Sequence, residues 1–312
     1  MTESSQKTRR RGLSLAVKLA VTIGLLAVLA ATSDWRRMLA LAADLSPVLL
    51  LLAVGLHLSA TSLASYRWYL LMRRLDFSWG WPFYLTSYVK ATFFNQALPT
   101  SIGGDGIRIL DCSRGERSAV EAFHGVFLDR IIGLAGLLLL NIGALTLDRR
   151  LLPTRVYAPL LLVLLALLLG LLSLLYLRKI RLFSVGRLRF LGTLSQRSFA
   201  LASSPIFMAG QMLLSVLVHL LAMGMYYVLG RAIGFEYSLS VYFVLVPPVI
   251  LLTILPISLA GWGIREGAMV GFFVLIGADR SQVLSYSLLC GLVSLAASLA
   301  GLVVYLLQKN RL

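Results

Sequence analysis

With 312 residues, 59% hydrophobic and only 13% charged, and a mean hydropathy of +0.86, the chain lies far outside the range of soluble domains, where about a quarter of residues are charged. Its net charge of +16 sits in short clusters beside apolar runs, which fits anionic headgroups and the positive-inside rule. It speaks against nucleic-acid binding, because no aromatic-interleaved basic module is present. Cys112 and Cys290 lie far apart in dissimilar contexts, and His57, His124 and His219 are scattered. Neither a disulfide framework nor a metal site is expected, and no nucleotide-binding, nucleophile-elbow or zinc motif suggests a cofactor. Residues 1–312 read as a single all-α membrane domain.

In chain order, apolar periodicity predicts helices over 13–32, 46–71, 81–97, 118–147, 156–177, 205–232, 238–255, 266–277 and 281–308. The first resembles a signal peptide, but Lys18 interrupts its front and no clean small-residue cleavage pair precedes Asp34, so it is read as a crossing. Lys18 then snorkels to the cytoplasmic surface. The segments 81–97 and 266–277 are short or unusually polar. Between the halves, 178–204 carries Arg178, Lys179, Arg181, Arg187, Arg189 and Arg197 without an acidic residue, interleaved with leucines and phenylalanines. That pattern predicts a cytoplasmic interfacial segment.

Two eleven-residue stretches break the apolar text: LPTSIGGDGIR at 98–108 and LPISLAGWGIR at 255–265. They share Leu, Pro, Ser, Gly, Gly, Ile and Arg at matching positions. Charge decides how the first is threaded. Lys7, Arg9, Arg10 and Arg11 put the N-terminus inside; if 81–97 crossed, the six-positive segment would fall outside. If 81–97 enters, turns at the motif and returns, then Arg114, Arg117 and the basic segment all stay inside. Three crossings then separate the motifs, which places the second re-entrant hairpin on the opposite face. The expected architecture is a pair of inverted repeats, about 46–177 and 205–308, joined by 178–204, with binding near the midplane at the broken elements. The competing reading makes both motifs ordinary extramembrane turns that are alike through duplication.

Irregular backbone at membrane depth must line a cavity or be buried in protein. Pro99 and Pro256 are expected to end the entering helices, while Gly103, Gly104, Gly106, Gly261 and Gly263 permit left-handed turns and close approach. Where helix resumes, unsatisfied N–H groups and a positive dipole end are expected beside Arg108 and Arg265. Arginine with open amides suits a phosphate, so two such half-sites can hold one headgroup. Asn95, Asp105, Ser258 and Glu266 complete the motifs. Asp129 and Arg130 lie inside an apolar helix, where each charge needs its own partner, because neighbours point about 100° apart. Arg108 is the favoured partner of Asp129; the alternative is that Asp129 and Arg130 only fasten helices together. Lys90, Glu121 and His124 read as headgroup-level anchors.

On these residues (Asn95, Leu98-Pro99, Gly103-Gly104-Asp105, Arg108, Asp129-Arg130, Leu255-Pro256, Gly261, Gly263 and Arg265-Glu266) the sequence resembles the transmembrane region of lysylphosphatidylglycerol synthases, a superfamily of flippase-like integral membrane proteins. Ala260 departs from the pattern, which often has a further glycine there. The resemblance implies movement of lysyl-phosphatidylglycerol or related lipids between leaflets. The aminoacyl-transferase domain of the synthases has no counterpart in the sequence given, so the expectation is transport, not synthesis of the aminoacyl lipid.

The function expected is therefore a non-enzymatic lipid translocase that passes a phosphate-bearing headgroup through a central polar cavity. Its partners would be anionic phospholipid, aminoacylated phosphatidylglycerol or polyprenyl-phosphate lipid, with a homodimer allowed as the assembly. The expected location is a bacterial or archaeal cytoplasmic membrane. The rivals are a lipid-linked glycosyl- or phospho-transferase using Asp105, Asp129 or Glu266, and a lipid-binding accessory subunit. Transferases of that kind need clustered carboxylates for a divalent metal, and here they stand singly.

Overall fold

The computed structural model describes residues 23, 45–98, 103–114, 118–180, 189–255 and 258–309. Within them run ten α-helices: α1 (Pro47–Arg74), α2 (Trp81–Ala97), α3 (Gly103–Ser113), α4 (Ala119–Leu147), α5 (Thr154–Ser173), α6 (Arg189–Ala202), α7 (Pro205–Ala232), α8 (Leu239–Ile254), α9 (Ile264–Val274) and α10 (Arg280–Lys309). A short 3-10 turn, Leu177–Lys179, follows α5. Except at Ile23, the expected crossing at 13–32 lies outside the described residues, as do Pro99 and Pro256.

Five helices, α1, α4, α5, α7 and α10, are long and apolar enough to cross a bilayer. Their leucine-rich faces are exposed in the isolated chain, as lipid contact requires; α5 is buried along only a small part of its length. The other membrane-type helices are too short. At 1.5 Å per residue, α2 and α8 reach about 25 Å and α3 and α9 about 16 Å, short of a hydrocarbon core of about 30 Å. The sequence reading expected helix to resume beside Arg108 but gave α3 no range, because its glycines and charges conceal the helical period. The last turn of motif one and the residues after it are helical from Gly103 onward.

Two series of four helices have closely similar lengths. Helices α1 to α4 have 28, 17, 11 and 29 residues; α7 to α10 have 28, 16, 11 and 30. After α1 the Phe77 amide donates to the Met72 carbonyl (3.0 Å) around left-handed Asp76. After α7 the Phe235 amide donates to the Gly230 carbonyl (2.8 Å) around left-handed Gly234. Both are helix-terminating αL turns, which satisfy carbonyls that the helix leaves open. Helix α4 starts with the Glu121 amide on Ser118 Oγ, and α10 with the Gln282 amide on Asp279 Oδ1. These are side-chain N-caps at matching places. The ring pair Tyr69–Tyr84 (5.7 Å) has its counterpart in Tyr227–Tyr242 (5.6 Å).

Two compact units are interleaved along the chain. The Arg108 unit comprises Leu58–Tyr88 and Arg108–Met223; the Arg265 unit comprises Met1–His57, Val89–Ile107 and Gly224–Leu312. Each draws on both halves of the sequence. The first is built on Trp68, Met72, Phe77, Tyr84, Cys112, Ala122 and Val126, beside a layer where Leu71, Leu128 and Ile132 meet Leu194 and Leu201 of α6. That contact shows what the basic segment does locally. Its helical part buries an apolar face on α1 and α4, and Arg197 reaches Glu121 at 3.6 Å. The second unit centres on Phe235, Tyr242, Phe273 and Tyr286, with Phe235 stacked on Phe273 at 5.9 Å.

Candidate functional site: two buried arginines

Each Pro/Gly stretch separates two short helices and delivers one arginine into protein. In the Arg265 unit, the first stretch shows why glycine is needed. A Cβ on Gly104 would strike the Ala91 carbonyl, so only glycine lets the start of α3 lie against α2. The Gly104 amide donates to Asn95 Oδ1 at 2.8 Å, so a side chain from α2 caps the next helix. Asp105 follows in the first turn and is buried.

Three residues after Asp105, Arg108 belongs to the other unit and has 2% of its surface exposed. Its guanidinium lies over the Trp68 ring at 4.0 Å and the Tyr88 ring at 4.6 Å. Arg108 Nη2 donates to Asp129 Oδ2 at 2.6 Å, the pair expected from the sequence. The same carboxylate is also held by Arg67 of α1. Arg67 Nε and Nη2 donate to Oδ1 at 3.1 and 2.9 Å, and Nη2 also donates to the Asp129 carbonyl at 3.2 Å. Arg67 Nη1 donates to Ser215 Oγ at 2.7 Å, and that hydroxyl donates to the Ile132 carbonyl. Small residues on α4 make room. A Cβ on Gly133 would press on the Arg67 guanidinium, and one on Gly136 would overlap the Ser215 side chain. Two guanidiniums thus share one buried carboxylate. Arg130, the next residue, is exposed.

The second site is assembled differently. Ala260, Gly261 and Gly263 have φ of 47, 81 and 84°, so the chain turns through left-handed backbone before α9 begins. At Ala260 a non-glycine sits in left-handed backbone, where a glycine is the easier residue. Gly261 packs on Thr253 as Gly104 packs on Asn95. Glu266 is fully buried: Oε2 accepts the Gly263 amide at 2.6 Å, and Oε1 accepts Arg265 Nε and Nη2 at 2.9 and 2.5 Å. Ser287 Oγ donates to Oε1 at 3.4 Å. The Arg265 guanidinium lies over Trp262 at 4.5 Å and against Gly291, where any Cβ would collide with it. Ser258 is buried, and its hydroxyl has no hydrogen-bond partner among the described residues.

Several expectations change. The amides of Gly104 and Gly263, expected to be open to a ligand, are taken by Asn95 and Glu266, because a helix start left bare inside protein is costly. Motif-one Gly103 and Gly104 serve close approach within a helix; among the described residues of the two motifs, left-handed backbone occurs in motif two. Lys90 and His124 are buried in protein, not placed as exposed anchors, and His124 stacks on Phe190 of α6. Glu121 caps α4 and meets Arg197. The sequence reading passed over Arg67, Trp68, Tyr88, Ser215, Trp262, Ser287 and Gly291. For Arg67 the signal was available: an ionisable residue within a long apolar helix calls for a partner.

A family model described as the lysylphosphatidylglycerol synthase TM region matches residues 15–301. No curated protein matches the chain.

Proposed function

The chain belongs to the lysylphosphatidylglycerol synthase transmembrane-region family, and from that premise we propose that it moves a phosphate-bearing lipid headgroup between membrane leaflets. The observation that carries this reading is the doubled arginine site. Each half of an integral membrane protein inserts one arginine behind a pair of helices too short to cross, seats it on a tryptophan, and pairs it with a buried carboxylate. A guanidinium presents a planar fork to phosphate as readily as to carboxylate, so the carboxylate stands where a headgroup phosphate would bind. The aromatic seats hold the cation in place while its anionic partner changes.

The same elements support a reading of the threading. We read α2–α3 and α8–α9 as re-entrant hairpins in halves of inverted topology, with the N-terminus and the basic segment on the cytoplasmic side. The short helix lengths, the matched order of the two series and the charge argument support this. The transferase reading gains nothing from the carboxylates, since Asp129 and Glu266 are both bonded to guanidiniums. Candidate substrates remain anionic phospholipid, aminoacylated phosphatidylglycerol and polyprenyl-phosphate lipid, in a prokaryotic cytoplasmic membrane.

The test is reconstitution in liposomes with fluorescent phosphatidylglycerol, scoring leaflet exchange by chemical quenching of the outer leaflet. Wild type should accelerate exchange. Arg108→Ala and Arg265→Ala should abolish it, and the lysine variants should retain part of it, because charge survives without the fork. Wild-type exchange by the double alanine variant would refute the proposal.

A further inference from the structure

We propose that Arg67 is a positioning residue that keeps Asp129 in place when Arg108 gives up that carboxylate for an incoming phosphate. The inference rests on the translocase reading, in which Arg108 takes the phosphate. It starts from a division of labour. Arg67 makes both its side-chain bonds to Asp129 through Oδ1, while Arg108 uses Oδ2. Breaking the Arg108 bond therefore leaves the carboxylate still charge-paired. Without Arg67 the same step would strand a buried carboxylate, among the most unfavourable states a protein interior can hold.

The surroundings fit the two roles. Arg67 is tied down on every side, by Ser215 Oγ, by the Asp129 carbonyl, and by Gln211, whose Nε2 donates to the Arg67 carbonyl at 3.4 Å. Arg108 rests on two ring faces, which hold a cation without consuming N–H donors. Among the described residues, the second half carries no such device. Asp129 is the eleventh residue of α4, and the eleventh residue of α10 is Cys290; Arg67 is the twenty-first of α1, and the twenty-first of α7 is Met225. Among the described residues, Glu266 is bonded to one guanidinium, and its other oxygen holds the turn before α9. Releasing Arg265 would leave Glu266 with a hydroxyl and an amide only. The Arg108 site thus carries a support for exchange that its counterpart lacks among the described residues.

The experiment uses the full chain in dodecyl maltoside, titrated calorimetrically with dihexanoyl-phosphatidylglycerol, with phosphate-free dihexanoylglycerol, and with inorganic phosphate. Arg108→Gln should remove the preference for the phosphate-bearing lipid. Arg67→Gln should weaken binding at least tenfold, because Asp129 then has Arg108 as its sole cation and does not let go. Arg67→Gln with Asp129→Asn should return to within threefold of wild type, and Arg67→Lys should be intermediate. A merely structural Arg67 predicts a double variant no better than the single one; that result, or wild-type binding by Arg67→Gln, overturns the proposal. Should Arg67→Gln fail to fold, Asp129→Asn and the double variant decide: once the carboxyl charge is gone, losing Arg67 must change affinity less than threefold. Binding of inorganic phosphate in the same variant order makes a free anion the ligand, and its absence makes the headgroup the ligand; the Arg67–Asp129 coupling decides in both arms. If wild type prefers neither lipid and Arg108→Gln changes nothing, the translocase reading itself fails; Arg108 dependence without the coupling sinks only this inference.

Discussion

Gly291→Ala sets the geometry of the second arginine site against helix propensity, and the two effects have opposite signs. In a helix interior, alanine is favoured over glycine by about 0.5–1 kcal/mol. At Gly291 the added Cβ would overlap three atoms of the Arg265 guanidinium. An arginine tip can usually swing aside, but this one is held by two bonds to Glu266 and by the Trp262 face. Displacing it breaks a buried ion pair and leaves Glu266 under-compensated, at about 3–5 kcal/mol. The net expectation is destabilisation by about 2–4 kcal/mol, after allowing for the propensity gain. The internal control is Gly271→Ala in α9, where a Cβ meets nothing within 4 Å, so only the propensity gain applies. Thermal unfolding of detergent-purified protein should show the two variants shifting in opposite directions. A Gly291→Ala protein as stable as Gly271→Ala would refute the reasoning, since the guanidinium would then not be fixed against α10.

Asn95→Ala should cost about 0.5–2 kcal/mol by leaving the Gly104 amide without its cap, and Asn95→Asp should preserve most of it, as thermal unfolding can measure. Single cysteines beside Gly104 and Gly261 should react with impermeant maleimides from opposite faces; labelling of both from one side would restore the ordinary-turn reading. That experiment can keep both native cysteines, because Cys112 and Cys290 are buried.

The membrane class, the long crossings and the two interrupted stretches were legible because hydropathy and Pro/Gly punctuation are local signals. The Arg108–Asp129 pair was legible for a different reason: a charge in an apolar helix must find an opposite charge, and few were on offer. Helix α3 was hidden by its own composition, since four of its first six residues are glycine or aspartate and its stability comes from Asn95 and from packing. Arg67 was hidden by its neighbours Arg73 and Arg74, which made it look like one more cation at the end of a helix. Trp68, Tyr88 and Trp262 read as apolar filler, because a ring's role as a seat for a cation depends on where the cation arrives. The asymmetry between the carboxylates, one delivered from a separate helix and one from the adjacent residue, stands in the sequence as Ile109 after Arg108 and Glu266 after Arg265.

That asymmetry bears on how two similar halves divide one task. A carboxylate on the residue next to its arginine costs little chain entropy to position, and it can double as the tie across the turn, as Glu266 does. It is poorly suited to exchange, because the arginine and the turn then depend on the same group. A carboxylate on a separate helix needs its own support, which Arg67, Ser215 and Gly133 provide. Its release disturbs no helix start. In the translocase reading, the places in α7 and α10 that match Arg67 and Asp129 hold Met225 and Cys290, so the support that Asp129 receives from Arg67 has no counterpart beside Glu266 among the described residues.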